Sequence, residues 1–92
     1  MSRQVVGVFK ALSDETRTEI IRHLLGKKEL SCQELLNNFS LSQPTLSHHF
    51  NKLIDANVLN ERKEGVNHIY SINYQYLKEL GIDIQKIVAQ RA

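Results

Sequence analysis

The chain has little that staples, bends or anchors it. Cys32 is its one cysteine, so no disulfide can form within it, and that scarcity suits a reducing, intracellular setting. One proline and four glycines in 92 residues leave few breaks, so most of the chain is free to form regular structure. No apolar run approaches the ~18 residues that a membrane span requires. The opening Met1-Ser2-Arg3-Gln4-Val5-Val6-Gly7 lacks the apolar core of a signal peptide. No membrane partner is therefore expected, and the expected compartment is the cytoplasm. Internal repeats, low-complexity tracts and linkers are absent as well. Enzyme hallmarks are also missing: there is no phosphate-binding loop and no carboxylate pair in a plausible pocket, and Ser47-His48-His49 are sequence neighbours without the geometry of a triad. The chain reads as a non-enzyme that needs no cofactor.

What is present is the composition of one folded domain over 1–92, with 41% hydrophobic and 24% charged residues. The net charge is only +2. Any site for a polyanion must come from where charge is placed rather than from how much there is.

Apolar spacing divides the chain into elements. Val5, Val8, Phe9 and Leu12 predict a short amphipathic helix over 4–12. Asp14 caps a second, whose apolar face is Ile20, Ile21, Leu24 and Leu25, and Gly26 ends it. Ser31 and Glu34 have the spacing of a capping box, which places a third helix at 32–39. After a short turn at Ser40-Leu41, Ser42 caps a fourth helix that tolerates Pro44 in its first turn and buries Leu46, Phe50, Leu53 and Ile54. From Val58 the pattern changes to two short strand-like runs, 59–63 and 67–72, with Glu64-Gly65 between them. Tyr74, Leu77, Leu80, Ile84, Ile87 and Val88 mark a last helix, which Gly81 either kinks or splits. The expected fold is mainly α with a small β-hairpin wing, in the order α-α-α-α-β-β-α: a winged helix-turn-helix.

A helix that enters the major groove needs one face anchored in the core and another offering short hydrogen-bonding groups to base edges. In the 42–54 helix the outward set is Ser42, Gln43, Thr45, Ser47, His48, Asn51 and Lys52. Glutamine can pair bidentately with adenine, and serine and threonine can reach a base or a phosphate. Between Glu34 and Asp55 there is no acidic residue, although acids number 10 in the chain. Such a span suits a surface that faces phosphates. Lys52 is its one full positive charge, so Arg62 and Lys63 on the 59–72 wing are expected to help. The expected partner is double-stranded DNA. A winged-helix module that docks a protein is the alternative, supported by the near-neutral charge. Against it stands the choice of Ser, Thr and His over the aromatic and arginine anchors that protein hot spots favour.

Two segments carry a family resemblance. Phe9-Lys10-Ala11-Leu12-Ser13-Asp14-Glu15-Thr16-Arg17 resembles the "LSDPTR" segment of the ArsR family of bacterial winged-helix repressors. Leu41-Ser42-Gln43-Pro44-Thr45-Leu46-Ser47-His48-His49-Phe50-Asn51-Lys52-Leu53 resembles that family's recognition segment, "LSQPTVSRHLKVL", and Arg62-Lys63-Glu64-Gly65 with Ile69-Tyr70-Ser71-Ile72 resembles its wing. The resemblance covers residues 8–73. It implies a homodimeric transcriptional repressor, dimerised through its first and last helices, with DNA contacts at Ser42, Gln43, Thr45, Ser47 and His48. Apolar stripes at Val5, Val8 and Phe9 and at Leu77, Ile84, Ile87 and Val88 are expected to be exposed in one copy and to bury against a second.

The sensing motifs of the family are missing. One group carries a Cys-x-Cys pair in the segment matched here by Glu29-Leu30-Ser31-Cys32-Gln33-Glu34-Leu35, where Ser31 and Gln33 stand at the cysteine positions. A soft-metal thiolate site needs two or three sulfurs. Another group binds zinc with Asp, His and Glu on the last helix, which here offers Glu79 and Asp83 but no histidine. No metal is therefore expected, and the inducer, whether small molecule or protein antirepressor, is unidentified. Cys32 in the first turn of a helix raises a narrower idea, a thiol activated by the helix dipole and sensitive to oxidation. Opposed to it is an inert, half-buried thiol, since there is no resolving cysteine.

Overall fold

The computed structural model describes residues 2–89. Its elements are α1 (Arg3–Leu12), α2 (Glu15–Leu24), β1 (Leu30–Ser31), α3 (Cys32–Leu36), α4 (Gln43–Asp55), β2 (Leu59–Glu64), β3 (Asn67–Ile72), α5 (Tyr74–Glu79) and α6 (Ile84–Ala89). The architecture is the mainly helical, winged one that the sequence predicts, with a third strand added.

The helix starts are set by side chains that satisfy otherwise orphaned backbone N–H groups. Asp14 accepts from the Arg17 amide at 3.0 Å. Ser31 accepts from the Glu34 amide while the Glu34 carboxylate accepts from the Ser31 amide, each at 3.1 Å, completing the capping box. Ser42 accepts from the Thr45 amide at 3.3 Å, with Pro44 in the first turn where its missing N–H costs nothing.

The helix ends explain two boundaries. At the close of α4, Asn57 takes φ 61° and the Val58 amide reaches back to the Leu53 carbonyl at 2.9 Å. The same arrangement recurs at Gly81, φ 76°, where the Ile82 amide reaches the Leu77 carbonyl at 2.9 Å. Both are Schellman closures, in which a left-handed residue lets the chain turn back on the last carbonyls. Gly81 thus splits the last helix into α5 and α6 instead of kinking it. The third helix is shorter than the expected 32–39, because after Leu36 the hydrogen bonds become i to i+3 turns at Asn38 and Phe39.

The sheet is antiparallel throughout, in the order β1-β3-β2. β1, a strand the sequence did not signal, pairs Leu30 with Tyr70 and Ser31 with Ile69. The hairpin closes on the pair Glu64–Asn67, so its two-residue turn is Gly65-Val66, one position later than expected. Positive φ at Gly65 (61°) in the first turn position is the requirement of a type II′ hairpin.

The core lies between α1, α2, α4, α6 and the inner face of the sheet. Ile20, Ile21, Leu24, Leu35, Leu46, Phe50 and Leu53 are all fully buried in it. Arg22 bridges α2 to the last helix, its Nε donating to the Val88 carbonyl at 2.6 Å while its guanidinium pairs with Glu19. This core corrects the expected dimer stripe. Val8 (0% exposed), Leu77 (1%), Ile84 (3%) and Val88 (1%) are spent inside a single chain. They alternate with polar residues at helical spacing, which a core face and a dimer face share equally, so spacing alone could not separate the two. Of the residues named for dimerisation, Phe9 is exposed and Val5 and Ile87 are half-buried.

Candidate nucleic-acid interface

Helix α4 is anchored from within by Leu46, Phe50 and Leu53, and the anchoring fixes which side chains point away. Gln43, Thr45, His48, Asn51 and Lys52 are exposed, as is the capping Ser42, while Ser47 is half-buried on the flank. The expected outward set is therefore brought together on one element. Beyond its capping role, the Ser42 hydroxyl donates to the Thr45 hydroxyl at 2.9 Å, so the two are positioned as a pair at the helix start. Gln43 faces the wing across a crevice of about 100 Å³ that Ser31, Val66 and His68 also line.

The two adjacent histidines diverge, as neighbours on a helix must. His48 is exposed, and its ring centroid is 5.9 Å from that of His49. His49 turns inward until its Nδ1 is 3.8 Å from a carboxylate oxygen of Asp14, the residue that caps α2. This contact was not foreseen. It brings the middle of α4 beside the start of α2 without a hydrogen bond between them. The other early histidine, His23, packs edge-on against Phe39 with ring centroids 5.3 Å apart.

The acid-free span from 35 to 54 is bounded by two exposed carboxylates. Glu34 is occupied in the capping box, where the Ser31 backbone amide, then its hydroxyl, hold the carboxyl below the usual glutamate range. Asp55 lies at the far end of α4. Lys52, in the last turn of α4, has no ion pair among the described residues.

The wing differs from the expectation. Arg62 and Lys63 were expected to act together as cations, but the strand alternation sends them to opposite faces. Arg62 lies opposite Ile69 and Lys63 opposite His68. The Arg62 guanidinium forks onto Glu29, with Nη1 and Nη2 donating to its two carboxylate oxygens at 2.9 and 3.1 Å, and it also pairs with Glu64. These hydrogen bonds, to Glu29 foremost, raise its pKa. Its charge is thus already met by two carboxylates. The partner that matters most, Glu29, stands 33 positions away in sequence, and no local pattern could have announced it. On the other face His68 Nδ1 lies 2.9 Å from a Glu61 carboxylate oxygen, and Lys63 is exposed without a carboxylate partner among the described residues.

Cys32 is buried at the first position of α3. Burial, with a smaller contribution from the Glu61 charge, pushes its thiol pKa up. This runs against the idea of an activated thiol, because desolvation disfavours the thiolate. Among the described residues no three His, Cys, Asp or Glu side chains are grouped to hold a metal ion.

This arrangement of capped helix pair and hairpin has close counterparts. A family described as a helix-turn-helix domain matches residues 12–62. The arsenical resistance operon repressor of Staphylococcus xylosus is 41% identical over 75 residues, covering 82% of this chain and 71% of its own length. Among solved structures, HlyU from Vibrio cholerae N16961 superposes with a TM-score of 0.75 at 30% identity, covering 98% of this chain and all of its own. A homodimeric winged helix-turn-helix DNA-binding domain from Mycobacterium bovis superposes at 0.72 with 25% identity, over 84% of this chain and 70% of its own. The chain belongs to the ArsR family of winged helix-turn-helix transcriptional repressors, a family of regulators and not of enzymes.

Proposed function

We propose that the protein is a homodimeric, sequence-specific repressor that binds an inverted-repeat operator in the cytoplasm. In this reading α4 enters the major groove, with Gln43, Thr45 and His48 at base edges, Ser42, Ser47 and Asn51 beside them, and Lys52 on a phosphate. Lys63 on the wing reaches the flanking backbone. The observation that carries the reading is the exposed polar face of α4, held in place by three fully buried apolar side chains and bordered by a span without acids.

Size supports two copies. The chain has a radius of gyration of 12.6 Å and a longest extent of 37 Å. Two recognition helices in successive major grooves lie about 34 Å apart, and one chain carries a single α4, so the second must come from another copy. Exposed Phe9, beside half-buried Val5, offers an apolar patch on α1 for the contact, and Ile87 offers a further one on α6. The mycobacterial relative described above is homodimeric. The inducing signal differs from the thiolate chemistry of metal-sensing relatives, since Ser31 and Gln33 supply no sulfur and Cys32 stands alone. A small molecule or a protein antirepressor fills that role.

The test is a genomic footprint with the purified protein, followed by titration of the recovered site against random duplex. Gln43→Ala is expected to weaken the specific site by about 1–3 kcal/mol while sparing random DNA. Lys52→Ala is expected to weaken both alike and to lower the salt slope by about 0.9, the share of one phosphate. Equal affinity for random and selected duplexes, or none for either, rejects the reading.

A further inference from the structure

We infer that Glu29 is a positioning residue for the wing, acting through Arg62, and that Arg62 is a strut of the fold instead of a phosphate contact. The inference uses the DNA-reading function above for one of its tests only.

The geometry is specific. Glu29 belongs to the loop that ends α2 and leads into β1, and β1 is the strand that joins the hairpin to the helical body through only two pairs, Leu30–Tyr70 and Ser31–Ile69. Arg62 lies on the outer strand of the order β1-β3-β2. Ser31, Ile69 and Arg62 form one row across the sheet, because Ser31 and Arg62 both register with Ile69. Residues two positions apart on a strand share a face, so Arg62 and Glu64 lie together. From that row the guanidinium reaches over the central strand to Glu29 on the far side. Both of its terminal nitrogens are used there, and Glu64 takes a further bond. A bidentate fork with a second carboxylate is the kind of exposed pair that holds one geometry, unlike a single flexible ion pair. It clamps the sheet across its full width where the ladder of β1 is shortest.

Two consequences separate a strut from a phosphate contact. A strut needs the planar fork, so lysine cannot replace arginine, whereas a phosphate contact needs only the charge. A strut also needs Glu29, whereas a phosphate contact would gain from its removal.

The first experiment is amide hydrogen exchange across 59–72 in the free protein, comparing the native chain with Glu29→Gln, Arg62→Lys and the double variant. Each single variant is expected to speed exchange of the hairpin by about two- to fivefold, and the double variant is expected to add nothing further. Unchanged exchange in the single variants, or additive effects in the double, overturns the proposal. The second experiment is the salt dependence of DNA binding. Arg62→Ala is expected to keep the native slope. A slope lower by about 0.9 assigns Arg62 to a phosphate and overturns the proposal. If the native protein binds no DNA, the functional reading fails, and the exchange result still decides the strut.

Discussion

The Phe50 ring lies against that of Tyr70, with centroids 4.2 Å apart and planes 30° from parallel. Phe50 is the central inward residue of α4 and Tyr70 sits on the middle strand of the sheet, so this contact joins the helix to the hairpin through the core. Phe50→Ala is expected to remove about 3–5 kcal/mol of stability, from lost burial and from the cavity left behind. Urea unfolding measures it. A loss below about 1 kcal/mol would mean that the contact contributes little.

The burial of α1 separates folding from assembly. Val8 is fully buried and Phe9 is 39% exposed, although they are adjacent. Phe9→Asp is therefore expected to leave a folded chain that sediments as a monomer, with operator affinity reduced by at least tenfold because each copy then reaches a single half-site. Val8→Asp is expected to unfold the chain, since a carboxylate at a dry site carries a desolvation cost of several kcal/mol. Circular dichroism and sedimentation of the pair distinguish the roles. A dimer that persists in Phe9→Asp removes this patch from the interface.

The buried thiol makes a prediction about redox chemistry. With its pKa raised by burial, Cys32 holds little thiolate at neutral pH. A thiol reagent such as dithionitrobenzoate is expected to label it far more slowly in the native protein than in urea. Operator binding is expected to be unchanged by mild peroxide and by Cys32→Ala. Release of DNA on oxidation would restore a sensing role.

The capping box should be visible in the pH dependence of stability. The folded carboxyl of Glu34 titrates below its ordinary value of 4.5 because Ser31 hydrogen-bonds the charged form. A lowered folded pKa adds stability that is complete above the ordinary value and is lost as pH falls through the folded one. Glu34→Gln removes the titrating group itself, whereas Ser31→Ala would keep the backbone amide that lowers it most. The stability gap between the native chain and Glu34→Gln is expected to be widest near neutral pH and to narrow on acidification below about 4.5. Chemical denaturation at a series of pH values reads the gap, and a constant gap would contradict the assignment.

Local chemistry was the legible part. Asp14, Ser31 and Ser42 each announce a helix start because a cap is written in one or two neighbouring residues, and each caps as expected. Gly65 announces the hairpin for the same reason. Relations between distant segments were not legible. β1 is two residues long and exists only because Leu30 and Ser31 meet Tyr70 and Ile69. The Arg62–Glu29 fork and the His49–Asp14 approach likewise join residues that nothing in the local sequence relates. The apolar spacing of α1 and of the last helices reads correctly as amphipathic, yet at Val8, Leu77, Ile84 and Val88 the neighbour is the chain's own core and not a second copy. A hydrophobic stripe states that it must be covered and is silent about by what. Among the recognition residues the outward direction was readable from the inward one, because Leu46, Phe50 and Leu53 fix the phase of a helix whose period is known.

The Schellman closure at Asn57 leaves only Ala56, Asn57 and Val58 between the recognition helix and the first strand of the wing, and Val58 is itself fully buried. The Val58 carbonyl then accepts from the Asn73 amide, where the hairpin returns to the helical body. There is no slack in that joint. In the DNA-binding mode proposed above, helix and hairpin form one reading head with a set span, so an operator half-site would be measured as well as read: the distance along the duplex from the bases under Gln43 to the backbone under Lys63 would be fixed by the chain. Lengthening the joint by a single residue would keep every contacting side chain and still misplace them relative to one another.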